Sequence, residues 1–320
     1  MAFKTKNPVE FGMWININRN GRLGNRLYSR AHVFAAAVEL NETVIDWGLK
    51  DVAKHFPAIA NPSLPTYPGM IAPEESSGRL ASLLCSEKLI EKLRVLRPRK
   101  TGVIGPIWSQ NWQKGIDNSE RMRLDTPEFA RFCQQRKVVI LNGFKLRCPA
   151  WVVKHQEVIR QYFRPSESIC RKWQTLISDR RSDFDIVVGI HMRSTDFKHA
   201  QGGRYYLSPQ EYVEIIKNRI DWGNANPFFM IFSDEPYTSN EDFSKLTLAF
   251  KDLPHMFYHG TEIDDMTGLM HCDRIVCAAT STYARWAAFA GKADWIGVSR
   301  DLLKDTTRLE FQSYPYPWEH

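Results

Sequence analysis

Residues 186–197 run Ile-Val-Val-Gly-Ile-His-Met-Arg-Ser-Thr-Asp-Phe, and no other stretch constrains the fold of this chain so strongly. A run of mostly β-branched apolar residues carries no polar side chain until His191, and then Arg193 and Asp196 follow at once. Continuous apolar character over a strand length is the mark of a parallel strand buried on both faces. The abrupt polar end marks the strand's carboxyl terminus opening into a crevice, which is where open α/β sheets bind ligands. A guanidinium at that end suits a phosphorylated ligand, because its planar fork donates two parallel hydrogen bonds to phosphate oxygens. A strand followed by an ordinary polar loop would look the same in isolation, so the surrounding pattern decides.

That pattern alternates. Downstream, the periodicity predicts a helix entered at Ser208-Pro209-Gln210-Glu211, which combines a capping box with Pro at the first helical position. A strand follows over 228–232, ending in Ser233-Asp234, then a helix over 241–250 and a strand over 255–258. A short helix over 264–272, a strand over 274–279, a helix over 282–290 and a strand over 294–298 complete the series. Repeated β-α units of this kind predict a doubly wound, mostly parallel sheet. The first half is less regular. It opens with a strand over 13–17, a polar loop over 18–25, a helix over 26–40 and a strand over 43–46. Pro57, Pro62, Pro65 and Pro68 then break the chain. Further helices are expected over 80–96, 149–162 and 166–178, and strands over 102–108 and 137–142.

With 320 residues the chain is long enough for two domains. The polar run Ser178-Asp179-Arg180-Arg181-Ser182-Asp183 is the expected linker, giving an N-terminal Rossmann-like domain over 1–180 and a C-terminal one over 181–300. The tail over 301–320 is expected to return to the first domain. The net charge of +7 comes from scattered Lys and Arg, a bias towards anionic ligands such as nucleotide phosphates, while nucleic-acid binding would need a denser stripe. The cysteines, Cys85, Cys133, Cys148, Cys170, Cys272 and Cys277, have no paired spacing and are expected to be reduced thiols. Residues 1–6 lead into no apolar segment, and no stretch reaches the ~18 apolar residues of a membrane span. A cytoplasmic location is therefore expected of the chain as it stands, with no nucleic-acid partner and no integral membrane segment. A lumenal enzyme of this sequence would have had its anchor removed.

Three loops carry the candidate chemistry. Gly21-Arg22-Leu23-Gly24-Asn25-Arg26 joins a strand to a helix, where glycines permit close backbone approach and the helix N-terminus favours an anion. The His191, Arg193, Asp196 cluster is the second. Ala279-Thr280-Ser281-Thr282-Tyr283 is the third, with hydroxyls that cap a helix and face a diphosphate equally well. Gly21–Arg26 is not the G-x-G-x-x-G of dinucleotide folds, which argues against an oxidoreductase. Asp183-Phe184-Asp185 has the spacing of a metal-holding D-x-D but precedes its strand, at the wrong end of a parallel sheet. His271-Cys272-Asp273 with Cys277 lacks zinc spacing, so no metal or other cofactor is expected.

In this order, Gly21-Arg-Leu-Gly-Asn-Arg, His191-Met-Arg-Ser-Thr-Asp and His271-Cys-Asp-Arg-Ile-Val-Cys-Ala-Ala-Thr-Ser-Thr-Tyr resemble three motifs of the GDP-fucose-dependent fucosyltransferases. That superfamily holds α-1,2-, α-1,6- and protein O-fucosyltransferases, and the α-1,2 patterns G-x-L-G-N-Q, H-x-R-R-x-D and C-D…S-T-F…W-A are the nearest. The resemblance touches both halves and is dense over residues 186–296. It implies a GT-B enzyme, two Rossmann-like domains facing across a cleft, that inverts the anomeric centre without metal. Fucose would pass from GDP-fucose to a hydroxyl of an oligosaccharide or glycoconjugate acceptor.

Carried over by position, Arg193 would hold the β-phosphate and stabilise departing GDP. Ser281 and Thr282 would donate to the diphosphate, and Asp265, eight residues before Asp273, would read guanine. Gly24 and Asn25 would approach the diphosphate or the fucose, with His191, Asp196, Ser233 and Asp234 completing the donor pocket. Two positions depart from the pattern. Ser194 stands where the second Arg is usual, and Arg26 where Gln is usual, which suggests that Arg26 supplies the missing charge. Asp196, His199 and Glu211 are candidates for a general base, Asp196 foremost, with orientation of Arg193 as its alternative role. A sibling using GDP-mannose or another GDP-hexose, or a non-catalytic GDP- or glycan-binding protein, would share these features. The acceptor, the linkage and the oligomeric state are not legible. The loop over 198–206, whose Gly202-Gly203 suggests mobility, is expected to shape acceptor choice.

Overall fold

The computed structural model describes residues 13–19, 21–59, 65–67, 107–108, 122–134, 138–141, 146–234, 240–305 and 307–313. These fall into two compact units that meet in the chain between Arg164 and Pro165. The helix and most of the strand expected over 80–108 lie outside the described residues, as does the tail beyond residue 313.

The first unit has strand β1 (Met13–Asn16), helix α1 (Leu23–Leu40), β2 (Thr43–Asp46), β3 (Thr66–Tyr67), β4 (Ile107–Trp108), β5 (Met122–Arg123), α2 (Pro127–Gln134), β6 (Val138–Leu141), β7 (Leu146–Arg147), α3 (Pro149–Lys154) and α4 (Gln156–Tyr162). Its main sheet has the order β3-β2-β1-β6-β4, parallel except for β3, and β5 pairs with β7 apart from it. Helix α1 begins at Leu23, earlier than the polarity of 18–25 suggested, because Leu23 and Leu27 are fully buried and draw the first turn onto the sheet. The helix expected over 149–162 is two. They break at His155, whose ring nitrogen is held by Glu39 of α1.

One buried charge pair locks the carboxyl ends of β1 and β2. Asp46 and Arg30 have no exposed side-chain surface, and the guanidinium meets the carboxylate through two nitrogens, each at 3.0 Å. Asp46 also accepts from Asn16 Nδ2 (2.9 Å) and the Tyr67 hydroxyl (2.7 Å). Arg30 donates in addition to the Asn18 carbonyl, tying down the chain that leads into Gly21. A Cβ at Gly48 would lie 1.7 Å from the Arg30 guanidinium, so only glycine lets the backbone pass.

The second unit has α5 (Glu167–Arg180), β8 (Ile186–Met192), α6 (Pro209–Asn218), β9 (Pro227–Ser233), α7 (Asn240–Phe250), β10 (His255–Tyr258), α8 (Glu262–His271), β11 (Arg274–Ala278), α9 (Thr282–Gly291) and β12 (Asp294–Val298). Its five strands are all parallel in the order β10-β9-β8-β11-β12. The order runs outward from β8 in both directions, so the switch point lies between β8 and β11. Val187, Val188 and Ile190 are fully buried, and each contributes ~1.5–3 kcal/mol on leaving water. The Ser208–Glu211 capping box is formed as expected.

Two boundaries differ from expectation. Helix α5 belongs to the second unit and not to a linker-terminated first domain, because Trp173 packs on Phe232 (5.5 Å) and Tyr258 (4.5 Å). The described tail also stays with the second unit. Leu309 N–H donates to the Arg219 carbonyl (2.7 Å), and Gln312 and Trp295 exchange backbone bonds (2.9 and 3.2 Å).

Removing one member of a buried ion pair strands the other, at a cost of ~3–5 kcal/mol. Asp46→Ala is therefore expected to lower the first urea transition by that amount. Arg131→Ala, which breaks only an exposed pair with Glu128, should change it by under ~0.5 kcal/mol.

Candidate functional site

Side chains alternate along β8. Val188, Ile190 and Met192 enter the core beneath α6, so Gly189 and His191 take the other face. There Gly189 makes room for α8, since a Cβ would lie 2.8 Å from Leu269 and 3.0 Å from Cys272. His191 is buried, stacks on Tyr283 at 4.8 Å and 27°, and meets the Ser281 hydroxyl through Nδ1 at 3.2 Å. This bond crosses the switch point, joining the end of β8 to the N-terminus of α9.

Arg193 follows, with only 11% of its side chain exposed. Asp196 takes it in a bidentate grip, Nε–Oδ1 at 2.9 Å and a terminal nitrogen to Oδ2 at 2.7 Å. Phe197 lies beneath the guanidinium at 4.7 Å. Asp196 thus orients Arg193. Asp234, at the end of β9, accepts from the Ser194 amide (2.7 Å), the Thr195 amide (3.3 Å) and the Thr195 hydroxyl (2.6 Å). Burial opposes its ionisation, but the Thr195 hydroxyl and the two amides outweigh burial and lower its pKa. Asp234 therefore holds the Arg193 loop from behind, and neighbouring Ser233 is buried in the strand.

Ser281 is the N-cap of α9 and fully buried, with Oγ accepting from Ala284 N–H at 3.3 Å. Its hydroxyl is turned inward, so the helix presents its dipole and first-turn amides rather than this oxygen. Thr282, half-buried, opens the helix. Arg285 donates to the Ala279 carbonyl (2.6 Å) and lies over Trp295 (4.7 Å), a cation beside the same loop that sequence reasoning missed.

Asp265 lies on the first turns of α8. The residue is 8% exposed; one carboxylate oxygen accepts from Gly260 N–H at 2.8 Å, and the other reaches solvent and receives no donor among the described residues. Burial is the main reason that its pKa is pushed up to about 6. Its neighbour Asp264 differs in every respect, being held by Tyr258 (2.6 Å), Lys172 (2.8 Å) and Trp173 Nε1 (2.9 Å). The Tyr283 hydroxyl donates to the Glu262 carbonyl, so one chain of contacts runs from Ser281 through His191 and Tyr283 to the turn that bears Asp265. No motif pointed to Lys172 or Tyr258, and Tyr283 closed the third loop motif without a role assigned to it.

The remaining expected residues belong to the first unit. Gly21 adopts φ +87°, and Gly24 is buried beside half-buried Asn25 on the opening turn of α1. The Arg26 guanidinium binds Asp51 (2.7 and 2.9 Å) and the Gly48 carbonyl (3.2 Å) and is nearly buried, paired with a carboxylate much as Arg193 is with Asp196.

Asp185 sits at the amino edge of the second sheet, where Asn226 N–H donates to it at 2.8 Å. Asp273 is structural there too, accepting from Val187 N–H (2.8 Å) and Arg181 (2.6 Å). Gly202 and Gly203, with φ +68° and +75°, shape a turn anchored by the Arg204–Asp301 pair (2.8 Å). Among the described residues no group of three His, Cys, Asp or Glu side chains could hold a metal ion, and no helix is long and apolar enough to cross a membrane.

Solved structures share this fold. The fucosyltransferase NodZ from Bradyrhizobium is 15% identical with a TM-score of 0.50, over 95% of this chain and 99% of that one. A crystal structure of NodZ alpha-1,6-fucosyltransferase soaked with GDP-fucose gives 14% identity and a TM-score of 0.50, over 95% and 100% of the two chains. At such identity the likeness is one of fold, mixed α/β with parallel sheets. No curated protein matches the chain by sequence. The family model for glycosyl transferase family 11 matches residues 152–318, over half of the chain and including the whole parallel sheet at whose switch point these side chains meet, and the chain belongs to that family.

Proposed function

We propose that the protein transfers fucose from GDP-fucose to a glycan hydroxyl, inverting the anomeric centre and using no metal. The observation that carries the nucleotide assignment is Asp265, a mostly buried acid whose second carboxylate oxygen takes no donor from the described residues and reaches solvent. An oxygen held so can take the donors of a ligand that displaces the water. Guanine offers N1–H and an N2 amino group on one edge, and a carboxylate accepts both. Adenine lacks that pair. The GDP-fucose soaked into NodZ, a protein of the same fold, supports the choice of donor.

The chemistry is leaving-group stabilisation. As the glycosidic C–O bond breaks, negative charge develops on GDP, and Arg193 and the N-terminus of α9 meet it as fixed positive ends. Asp196 and Asp234 need not touch substrate. They keep the guanidinium and its loop in place, so little reorganisation accompanies the reaction. His191 and Ser281 join the two loops that hold the diphosphate. Donor binding is assigned to the second unit, with Gly24, Asn25 and the acceptor side assigned to the first.

Arg193→Ala is expected to lower the kcat for GDP release from GDP-fucose about 10²–10³-fold. Arg193→Lys should restore only part of it, because an ammonium cannot make the two-pronged contact. Undiminished turnover by the alanine variant would refute the assignment, as would loss of turnover in EDTA. Asp265 must be ionised to accept both guanine donors, and its pKa is raised to about 6. GDP affinity should therefore be full above neutral pH and fall as pH drops through that value. Asp265→Asn should flatten the profile and weaken GDP binding about 10–100-fold, as titration calorimetry would show.

A further inference from the structure

Asp264 and Asp265 are adjacent acids on one helical turn, and only one of them is available to a ligand. Asp264 is enclosed by the Lys172 ammonium, the Tyr258 hydroxyl and the Trp173 indole N–H, at 2.8, 2.6 and 2.9 Å. Lys172 comes from α5 and also lies over the Tyr258 ring (4.6 Å) and the Trp173 ring (5.2 Å), so its stem is packed as well as its charge paired. The loop before α8 is pressed onto both acids. A Cβ at Gly260 would lie 2.6 Å from Asp264 Oδ2, 2.8 Å from Tyr258 and 2.9 Å from Asp265 Oδ1.

We propose that Lys172 is a positioning residue of the nucleotide-base site: by holding Asp264 against Tyr258 and Trp173 it fixes the first turn of α8 and leaves Asp265 as the one carboxylate turned towards guanine. The proposal rests on the reading of Asp265 given above. Its second consequence is electrostatic. The groups that face Asp265 are His259 and the Gly260 amide from the loop, Asp264 and Glu262 on its own helix, Lys172 from α5 and Tyr283 from α9. Burial and Asp264 favour the protonated acid, while the Gly260 amide, His259 and Lys172 favour the carboxylate. Lys172 is the cation paired directly with the adjacent Asp264, and it acts on Asp265 beside the larger influence of His259. Without Lys172, two neighbouring carboxylates share one desolvated corner, and the more buried of them keeps its proton to higher pH.

The test is GDP binding by the full chain from pH 5 to 8.5, followed by calorimetry for the unsubstituted protein, Lys172→Met and Lys172→Arg, with ADP as the control nucleotide. Lys172→Met is expected to raise the midpoint of the acid loss of binding by about 0.5–1 pH unit, weakening GDP about 2–6-fold at pH 6 and less than about twofold at pH 8. Lys172→Arg keeps the charge and should keep the original midpoint. A Lys172→Met variant weakened by one factor at every pH, or with an unmoved midpoint, would overturn the proposal while leaving Asp265 as the base-reading group. If the unsubstituted protein shows no preference for GDP over ADP at pH 8, the reading of Asp265 itself falls and takes this proposal with it.

Discussion

Parallel strands cannot be joined by tight turns, and that constraint organises the second unit. Each connection must cross over a face of the sheet, and the strand order β10-β9-β8-β11-β12 requires the crossovers to leave β8 and β11 in opposite directions. Where they part, open α/β sheets leave a crevice at the carboxyl edge. Loops from both strands end there, with the N-terminus of α9 beside them. The 3.2 Å contact between His191 and Ser281 is the local expression of that geometry, linking residues 90 positions apart.

Buried charge is handled in two ways, and the contrast separates scaffold from site. Asp46 is saturated by Arg30, Asn16 and Tyr67, and the network fastens β1, β2 and the approach to α1. Asp265 is almost as buried and has one amide donor from the protein. A chain that satisfies Asp46 so fully could have satisfied Asp265. Its second oxygen reaches solvent and is left open to a ligand's donors.

Arg193 is arranged in a third way. Its partner Asp196 is nearly half exposed while the guanidinium itself is mostly covered. The pair orients the cation against Phe197 without enclosing it in the core. Asp234 contributes through backbone amides, shaping the loop instead of the charge. Together they account for how a loop following a strand keeps a guanidinium aimed with few degrees of freedom, the condition for electrostatic preorganisation.

The sequence by itself determined the parallel sheet of the second unit. Its apolar runs, its capping box and the polar residues at strand ends are local signals, and β8 to β12 lie within a residue or two of where the pattern put them. The positions of His191, Arg193, Asp265 and Ser281 along those elements were legible for the same reason. The partner of each side chain was not. Lys172 meets Asp264 across 92 residues, Arg26 meets Asp51, and Ser281 turns inward to His191. Helix α5 joins the second unit because Trp173 finds Phe232 and Tyr258, against the polar run at 178–183 that reads as a linker. Periodicity and capping depend on neighbours three or four residues away, whereas burial and ion pairing depend on which distant surfaces the packed chain brings together. Only the tertiary structure decided whether each charged residue at the sheet's edge was already neutralised or left for a ligand.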